Sequence, residues 1–575
     1  MKKIINIFNF NEKKSKFTRK NKITNLYLGP WCLSKRDLYK NRNYINVYDY
    51  SKKNAYLRDT KNLNKIYEFF LEQITINLNK IHNLNFKKAE WEIILGRWLM
   101  TWINHIHFHW VYVDKIFEEY RIKKIYSYKY KSESFIPANT WLSHLNLRNK
   151  NEWSEHIFQE ILKFKKKNKY NEIIGLSKSK STNLKKNFLP IPIGLFYRHK
   201  ERFIIYNLSL GIIDKIKLKL KYFNFGITFY KNIKLKNQNI NRDNLFFPKT
   251  KDKFIIFLSQ QVKYAIPKSF IENFQNIQQL VLSSHFPKKI DFILTSYAQY
   301  YDEFFKIYVA NLVNKNPKTK LCILQHGYGG IFAAEDFYNI YLDKKISNIF
   351  LSWGNLRKKN HYPFCYPLAA SGVISQFSNK KGILILSYSF QYSLINPING
   401  AINGMEIDEV LFKKLKKFYD NLLEDIKKKI YVKTQAINKL NNFDYSIKKN
   451  SNIKLIKSEV KFLKIYKNYN LIIHTFVGTG FFECLVKNIP SVLIYSEKCH
   501  LPFDNRFKDY LKEMKRKNMM FENEEKASKF INKNYYEIIN WWKSKDIQEL
   551  VNKMCNDYCK KKNIIKSFEK LIKKK

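Results

Sequence analysis

Short apolar runs alternate with amphipathic segments from residue 186 onward, and this alternation constrains the fold more than any other feature of the chain. The runs are rich in β-branched and aromatic residues and are bounded by turn or helix signals, as is typical of fully buried parallel strands. Strand–helix alternation on this scale predicts right-handed βαβ units. The predicted strands are FIIYNLSL (203–210), KFIIFL (253–258), QQLVLSS (278–284), DFILTS (291–296), LCILQHG (321–327), ISNIFLSWG (346–354), GILILSYS (382–389), KIYVKT (429–434), NLIIHTF (470–476) and SVLIYS (491–496).

The chain has 575 residues, more than the roughly 250–300 residues over which a single hydrophobic core grows. Before the alternating part, apolar residues recur at spacings of three and four, which predicts two long helices between about residues 62 and 120. We therefore predict an α/β protein with four regions. They are a mixed, mainly helical N-terminal region (1–185) with a short strand at 24–33, a first Rossmann-like domain (186–365), a second Rossmann-like domain (366–525), and C-terminal helices (526–575) that pack back on the first α/β domain.

The formal net charge is +57, from 105 Lys and Arg against 48 Asp and Glu. Such a charge attracts nucleic acid, anionic lipid or anionic substrates. Lys, Asn, Ile, Tyr and Phe are abundant together, however, as expected from an A/T-rich genome, and no dense basic arm with interleaved aromatics forms a separate module. We therefore interpret most of the excess as solvated lysine, and a nucleic-acid partner is not expected.

The N-terminal sequence MKKIINIFNFNE has an apolar run that Asn and Glu interrupt, so it does not predict a signal peptide. No uncharged apolar stretch reaches about 18 residues, so no membrane-spanning helix is predicted. Seven scattered cysteines are typical of a reducing compartment rather than of a disulfide framework. We expect a cytoplasmic protein, whose basic surface suits peripheral contact with the inner face of the cytoplasmic membrane.

The first candidate site is Gln325-His326-Gly327-Tyr328-Gly329-Gly330, directly after the predicted strand LCIL. Ligands of open α/β sheets bind beyond the carboxyl ends of strands. Gly327, Gly329 and Gly330 would let the backbone approach a ligand closely. His326 could act as acid, base or phosphate partner. The structural alternative is a tight turn with a hydrogen-bonded histidine.

The second candidate site, HTFVGTGFFE (474–483), follows the strand NLII and opens a predicted helix that runs to about Lys487. A Thr/Gly loop at a helix N-terminus is suited to anions, because hydroxyl and free N–H groups point at the ligand. Glu483, one turn into the helix, can accept hydrogen bonds from a ribose diol. The alternative is an ordinary helix cap at Thr479. The loop is neither a P-loop nor a complete dinucleotide motif.

Weaker signals support no metal site. On a helix, His105 and His109 share one face but have no nearby carboxylate, so a structural role is favoured. Cys555 and Cys559 are also four residues apart and have no further ligands. Asp302 and Glu303, in the helix after ILTS, are candidate general bases, and a solvated helix face is the alternative for them.

Taken together, these segments resemble a transferase family found in bacterial surface-polysaccharide loci. The resemblance covers nearly the whole chain, and the segments that carry it, in this order, are LGPWCL (28–33), IYEFFLEQITINLNKIH (66–82), WEIILGRWLMTWI (91–103), LSSHFP (282–287), DFILTSYAQYYDEFFKIYVA (291–310), LQHGYGG (324–330), FLSWG (350–354), GILILSYS (382–389), the Thr/Gly loop, IPSVLIY (489–495) and WWKSKDIQELVNKMCNDYC (541–559).

The chain departs from that family at three motifs, the first of which is an early Trp-Asp-Asp-Arg segment that is not evident between Asn46 and Asp59. The family usually has a Tyr-Asn-Ala-Thr-Thr type of loop where this chain has Phe476-Val477-Gly478-Thr479-Gly480. Only Lys433 keeps the positive charge of the family's Arg-Leu-Tyr-Pro segment.

The resemblance implies two Rossmann-like domains facing across a cleft, similar to the GT-B arrangement of glycosyltransferases. It also implies transfer of a sugar from a nucleotide-activated donor to a surface glycan such as a capsule or O-antigen, with no cofactor and no metal. The partners would be a nucleotide sugar and a glycan or glycolipid acceptor. His474, Thr475, Gly478, Thr479, Gly480, Glu483 and Lys433 would bind the donor, and Gln325, His326, Asp302 and Glu303 would be the catalytic candidates. The alternatives are a non-catalytic scaffold of a polysaccharide-synthesis complex and a nucleic-acid-binding protein.

Overall fold

The computed structural model describes residues 4–9, 24–28, 32, 53–149, 151–176, 188–198, 203–221, 225–234, 237–327, 331–332, 338–355, 361–366, 382–388, 404–435, 442–457, 459–460, 462–496, 503–560 and 563–573. These residues belong to two compact units. The first unit comprises Met1–Asn207 and Phe223–Leu321, and the second comprises Leu208–Tyr222, Cys322–Gln391 and Ile402–Lys575.

The described strands are numbered in chain order. They are β1 (Ile4–Asn9), β2 (Thr24–Tyr27), β3 (Arg121–Lys129), β4 (Asn171–Leu176), β5 (Phe188–Arg198), β6 (Phe203–Ile205), β7 (Phe225–Lys234), β8 (Phe292–Thr295), β9 (Lys320–Leu324), β10 (Ile349–Ser352), β11 (His361–Pro363), β12 (Ile383–Tyr388), β13 (Ile430–Gln435), β14 (Lys454–Ile456), β15 (Leu471–His474), β16 (Ser491–Ile494) and β17 (Met520–Phe521).

The described α-helices are numbered in the same way. They are α1 (Lys53–His82), α2 (Lys88–Glu119), α3 (Thr140–Asn149), α4 (Asn151–Phe164), α5 (Ile212–Lys221), α6 (Lys253–Ala265), α7 (Phe274–Leu282), α8 (Ala298–Tyr301), α9 (Glu303–Lys315), α10 (Tyr338–Ile346), α11 (Gly404–Asp420), α12 (Glu424–Lys427), α13 (Asn442–Asn450), α14 (Phe462–Ile465), α15 (Thr479–Val486), α16 (Asn505–Arg516), α17 (Glu524–Asn534), α18 (Ile538–Lys543), α19 (Lys545–Tyr558) and α20 (Ile564–Lys573).

The first unit contains a four-stranded parallel sheet of order β2-β1-β3-β4. The long helices predicted from the apolar spacing are confirmed as α1 and α2, which connect β2 to β3. The sheet itself was not predicted. Elsewhere in this unit, β5 pairs with β7 in antiparallel orientation, and β6 pairs with β8 in parallel orientation.

Two of the predicted strands are wrong, because KFIIFL lies in helix α6 and QQLVLSS lies in helix α7. Asp252 begins α6 by accepting hydrogen bonds from the N–H groups of Phe254 and Ile255, at 2.8 and 3.1 Å. The residues that α6 buries recur at helical spacing and are Phe254, Phe257, Leu258, Gln261 and Val262. An apolar run this short fits either a strand or a buried helix, and the Asp252 cap favours the helix.

Helix α2 is buried along most of its length and contributes Trp91, Trp98 and Trp102 to the core. Its buried histidines bond to the helix backbone, since Nδ1 of His105 lies 2.8 Å from the Thr101 carbonyl and Nδ1 of His109 lies 2.7 Å from the His105 carbonyl. Among the helices that the structure describes, none is both long and apolar enough to span a bilayer.

The second unit is built on a six-stranded parallel sheet of order β14-β13-β12-β15-β16-β17. Counted from β12, the order is 3-2-1-4-5-6, which is that of the doubly wound Rossmann fold. One face carries a large apolar core that includes Ile383, Ile385 and Phe418, and the other carries a smaller one that includes Leu384 and Cys484. The predicted α/β class with parallel sheets is therefore confirmed.

A second parallel set, β9–β10–β11, lies in this unit from Cys322 onward. Backbone hydrogen bonds join the residues after β10 and β11 to the segment that follows α19. Lys560 donates its N–H to the Trp353 carbonyl at 2.8 Å and accepts from the Tyr366 N–H at 3.1 Å. Trp542 instead lies near the six-stranded sheet, where its Nε1 donates to the Asn488 side chain at 2.8 Å. The predicted four-region division and the cleft between two domains stay predictions.

Candidate active site

The loop between β15 and α15 lies at the switch point of the six-stranded sheet, since β12 and β15 are the neighbours from which the strand order runs in opposite directions. Ligands of doubly wound folds bind there, beyond the carboxyl ends of the strands. Gly478 is the cap residue of α15, with φ −154° and ψ −169°, and no described side chain accepts a hydrogen bond at this cap. The first turn of the helix therefore keeps N–H groups for an anion.

The surroundings of Gly478 favour glycine, whereas those of Gly480 leave room for a Cβ atom. A Cβ atom on Gly478 would lie 2.5 Å from Cε2 of Phe476, which is closer than real Cβ contacts. A Cβ atom on Gly480 would meet Cδ1 of Leu386 at 3.6 Å, an ordinary van der Waals distance. The backbone angles of Gly478 are extended, so crowding by the Phe476 ring favours glycine there.

His474 and Lys433 lie in one row across the sheet, because each pairs in register with Leu386. Neighbours in register on parallel strands project to the same face. This face carries α15, since Gly480 lies against Leu386 and the His474 ring contacts Phe481 edge-on, with 5.2 Å between ring centroids. The sheet therefore brings the two predicted donor-binding side chains to the face that carries the Thr/Gly helix.

His474 is 1% exposed, and its Nε2 has no hydrogen-bond partner among the residues that the structure describes. Burial lowers the pKa of this imidazole to about 3, because desolvation disfavours the charged form. The ring is therefore neutral at physiological pH. A buried polar atom without a partner is uncommon and is a candidate ligand contact.

Thr475 and Lys433 already have partners inside the unit. The Thr475 hydroxyl lies 3.0 Å from the Ser387 hydroxyl, and the Thr475 N–H donates to the Leu386 carbonyl at 3.1 Å. Lys433 is buried, and desolvation lowers the pKa of its ammonium group, while the charges of Asp444 and Glu459 oppose that shift. Lys433 thus lies within β13 close to two acidic side chains, whereas Thr475 ties β15 to β12.

Glu483 is half-buried one turn after Thr479, near Tyr366. Burial raises the pKa of its carboxyl group to about 7, against the opposing effects of the Lys487 charge and the Tyr366 hydroxyl. The Tyr366 ring packs edge-on against Trp353, with 4.9 Å between ring centroids. Glu483 can therefore be either protonated or charged near neutral pH, which suits a group that meets a ligand.

Gln325 fixes the turn that follows β9. Its Nε2 donates to the Gly327 carbonyl at 3.1 Å, and its Oε1 accepts the Trp353 N–H at 3.0 Å. Its side chain is buried, so the amide group bonds to the loop rather than to water. His326 is exposed, and the protein atoms around its ring partly desolvate it and lower its pKa.

The structure brings the two predicted loops together inside the second unit. Gly327 has φ 75°, and a Cβ atom placed on it would lie 3.9 Å from the Thr479 hydroxyl oxygen. The turn after β9 and the first turn of α15 therefore face each other. The other glycines of this loop, Gly329 and Gly330, lie outside the described residues.

The carboxylates of Asp302 and Glu303 lie in the first unit and have internal partners. Asp302 caps α9 by accepting the Phe305 N–H at 3.0 Å, and it accepts the Tyr206 hydroxyl at 2.7 Å. Burial raises the pKa of Asp302 to about 6. Glu303 forms an ion pair with Lys306, and both side chains are 0% exposed. A solvated helix face is therefore the wrong description of Glu303.

Trp353 and Tyr366 are members of the site that the sequence analysis did not identify. Trp353 is bonded to Gln325, and Tyr366 lies beside Glu483. Their segment, SWGNLRKKNHYPFCYPL, contains the predicted boundary at 365/366 between the two Rossmann-like domains. No local signal marked Tyr366, because its role depends on residues more than 100 positions away. In the described ranges, no group of three or more His, Cys, Asp or Glu side chains is arranged to hold a metal ion.

Solved structures show only a distant likeness to this chain. MnaA of S. aureus, solved with UDP, has 12% identity and a TM-score of 0.30, over 52% of this chain and 77% of that one. MurG of Acinetobacter baumannii has 13% identity and a TM-score of 0.29, over 53% and 78%. The wall teichoic acid polymerase TagF has 10% identity and a TM-score of 0.28, over 52% and 84%. Likeness at this level carries no inference about activity.

No protein of curated function matches the chain. The model of one protein family, described as LIC12162 family transferase, matches residues 11–572, which is nearly the whole sequence and includes both loops of the site. The chain therefore belongs to the LIC12162 family of transferases.

Proposed function

We propose that this transferase is a glycosyltransferase that moves a sugar from a nucleotide-activated donor to a cell-surface glycan. The observation that carries the proposal is the open N-terminus of α15 at the switch point of a Rossmann-type sheet. A helix N-terminus in this position attracts phosphate through its N–H groups and its dipole. The membership of a transferase family supports a reaction in which such a phosphate is the leaving group.

In this proposal the donor phosphates lie against Gly478, Thr479 and Gly480. The acceptor hydroxyl attacks the anomeric carbon of the donor sugar, the bond from that carbon to the phosphate oxygen breaks, and the hydroxyl proton passes to solvent. The nucleoside diphosphate that departs gains negative charge, which the α15 N-terminus stabilises more in the transition state than in the ground state. Lys433 adds positive charge on the same face of the sheet, and Glu483 would accept hydrogen bonds from the ribose. No metal ion is required for this stabilisation.

The proposal also assigns roles to the turn after β9. His326 lies next to Gly327, which faces Thr479, so it is an exposed titratable group beside the proposed phosphates. We assign to it the orientation of the acceptor or of the leaving phosphate. The acceptor would be a glycan or glycolipid at the cytoplasmic face of the membrane, where the formal charge of +57 favours contact with anionic lipid.

A calorimetric screen of nucleoside diphosphates and nucleotide sugars, with and without EDTA, tests the donor site. We expect one nucleotide class to bind, with an affinity that EDTA leaves unchanged. Thr479→Val should weaken that binding by about tenfold, because one hydroxyl contact to a phosphate is lost. Thr250→Val is the control, since Thr250 accepts a helix-end N–H in the first unit at 3.2 Å. Absence of binding by every nucleotide would exclude the proposed donor site.

A further inference from the structure

An aromatic cluster lies where β8 ends in the first unit. Its members are Trp141 and His144 of α3, Tyr301 of α8, and Arg97 of α2, and we refer to them as the Trp141 cluster. The Trp141 and Tyr301 rings meet edge-on with 4.9 Å between centroids, and the His144 ring is stacked near Trp141 at 5.9 Å. Trp141 is nevertheless 46% exposed, and Tyr297, which precedes α8, is 41% exposed.

Arg97 donates a hydrogen bond to the Tyr301 hydroxyl oxygen and so leaves the hydroxyl proton available for a ligand. The Arg97 side chain is buried, its Nη2 donates to the Tyr301 hydroxyl oxygen at 3.3 Å, and its guanidinium carbon lies 4.9 Å from the centre of the Tyr300 ring. Because the hydroxyl oxygen accepts from a cation, its own proton remains to be donated and is more strongly polarised. The apolar Trp141 indole is thus in contact with the ring of Tyr301, whose hydroxyl is the hydrogen-bond donor.

A buried ion pair fixes the position of Trp141. The N–H and hydroxyl of Thr140 donate to Glu303 at 2.7 and 2.8 Å, and Lys306 donates to the same hydroxyl at 2.9 Å. The Ser269 hydroxyl adds a further bond to Glu303 at 3.1 Å. A buried ion pair adds little net stability but holds its neighbours in one geometry. Here it holds the first turn of α3, and therefore the exposed indole.

We propose that the Trp141 cluster binds a sugar ring of a glycan. The C–H face of a pyranose packs against the Trp141 indole, and a hydroxyl or carboxylate oxygen of the sugar accepts a hydrogen bond from the Tyr301 hydroxyl. A pyranose alternates C–H faces with polar edges, as this surface does, and binding sites combine aromatic surface with a few fixed polar groups. The cluster also follows the carboxyl end of a parallel strand, where α/β folds bind ligands.

The identification of this glycan as the acceptor rests on the proposed glycosyl transfer, whereas glycan binding itself does not. The positive charge of the chain favours sugars that carry a carboxylate or phosphate. Neutral and anionic saccharides share the stacking contact, so both belong in the test.

Binding of the full chain to an array of neutral and anionic bacterial surface oligosaccharides tests the inference. We expect binding to a subset of them, reduced by about tenfold or more in Trp141→Ala, as is typical when a central aromatic residue is removed. Trp141→Phe should retain part of the signal, because a ring remains. Phe246→Ala is the matched control, since Phe246 is 72% exposed in the same unit and should leave the pattern unchanged.

The outcomes separate this inference from the proposed donor site. No bound saccharide, or an unchanged pattern in Trp141→Ala, would overturn the inference. Loss of saccharide binding in Trp141→Ala, with wild-type nucleotide affinity and a Tm within about 2 °C of wild type, supports it and excludes misfolding. Saccharide binding without any nucleotide binding would leave this inference standing while the proposed donor site fails.

Discussion

Gly327 and Thr479 face each other across the candidate site, since a Cβ atom on Gly327 would lie 3.9 Å from the Thr479 hydroxyl oxygen. Gly327 has φ 75°, where an L-residue costs roughly 1–2 kcal/mol. We predict that Gly327→Ala lowers the free energy of unfolding by about this amount and reduces transfer activity more than stability alone explains. Urea unfolding and turnover measure the two effects. Gly211→Ala, in the same unit, is the control, and equal activity in both variants would contradict the prediction.

Replacing His474 by Phe separates stability from function. The replacement removes a buried nitrogen that has no partner among the described residues, so we expect the free energy of unfolding to stay the same or to rise by up to about 1 kcal/mol. Donor affinity should fall, because Nε2 of His474 is a candidate ligand contact on the face of the sheet that carries α15. His109→Phe is the matched control, since His109 is equally buried in the first unit. Wild-type donor affinity in His474→Phe would exclude that contact.

The Glu483 carboxyl group makes stability depend on pH in a defined direction. Its pKa is raised from 4.5 to about 7, so the folded chain keeps this proton over a range in which the unfolded chain releases it. Stability therefore falls as pH rises from about 4.5 to 7. We predict that Glu483→Gln becomes more stable relative to wild type between pH 5 and pH 8. Urea unfolding at both values tests this, and a constant difference would contradict it.

The buried Glu303–Lys306 pair is predicted to serve structure rather than proton transfer. Lys306→Met leaves a buried carboxylate without its cation and should destabilise the first unit by about 3–5 kcal/mol. The double variant Glu303→Leu/Lys306→Met should recover much of that loss, because no charge remains buried. Chemical denaturation of the three proteins measures the coupling. If the double variant is as unstable as Lys306→Met, the loss of stability in Lys306→Met is not caused by an unpaired buried carboxylate.

Gly354 is predicted to be intolerant of any side chain. A Cβ atom there would overlap the backbone carbonyl group of Asp557. That backbone is held on both sides, because Asn355 donates to Asn556 at 3.2 Å and Lys560 donates to Trp353 at 2.8 Å. Gly354→Ala should therefore cost about 1–3 kcal/mol, the range typical of overpacking. Thermal unfolding against Gly211→Ala tests this, and equal Tm values would contradict it.

The sequence predicted the parts of the fold that depend on nearby residues. The apolar run NLII, the Thr/Gly loop and the return strand lie within about 25 residues of one another, and the structure places them as β15, α15 and β16. Each carries its own local signal, namely β-branched residues, a glycine before a helix, and a second apolar run.

Features that depend on distant partners could not be predicted. Glu303 accepts a hydrogen bond from Thr140, which lies 163 positions earlier, and nothing near Glu303 in the sequence indicates that partner. The N-terminal sheet was missed for the same reason, because β1 pairs with β3 across two long helices. KFIIFL shows a different limit, since its strand-like composition was overridden by the Asp252 cap. Likewise, only the structure shows that Nε2 of His474 has no hydrogen-bond partner among the described residues.

The backbone bonds of Lys560 have a consequence for the order in which the chain is completed. Lys560 bonds to Trp353 and Tyr366, which the ribosome makes about 200 residues earlier. At roughly 5–20 residues per second, these partners wait on the order of ten to forty seconds for Lys560 to be synthesised. The Trp353 N–H also donates to Gln325 in the turn that contains His326. During that interval the turn therefore lies next to a Trp353 carbonyl that has not yet met Lys560. We therefore expect nascent chains interrupted before Asn556 to expose the backbone groups of Trp353, Asn355 and Tyr366 to chaperones and proteases, whereas the finished chain pairs them.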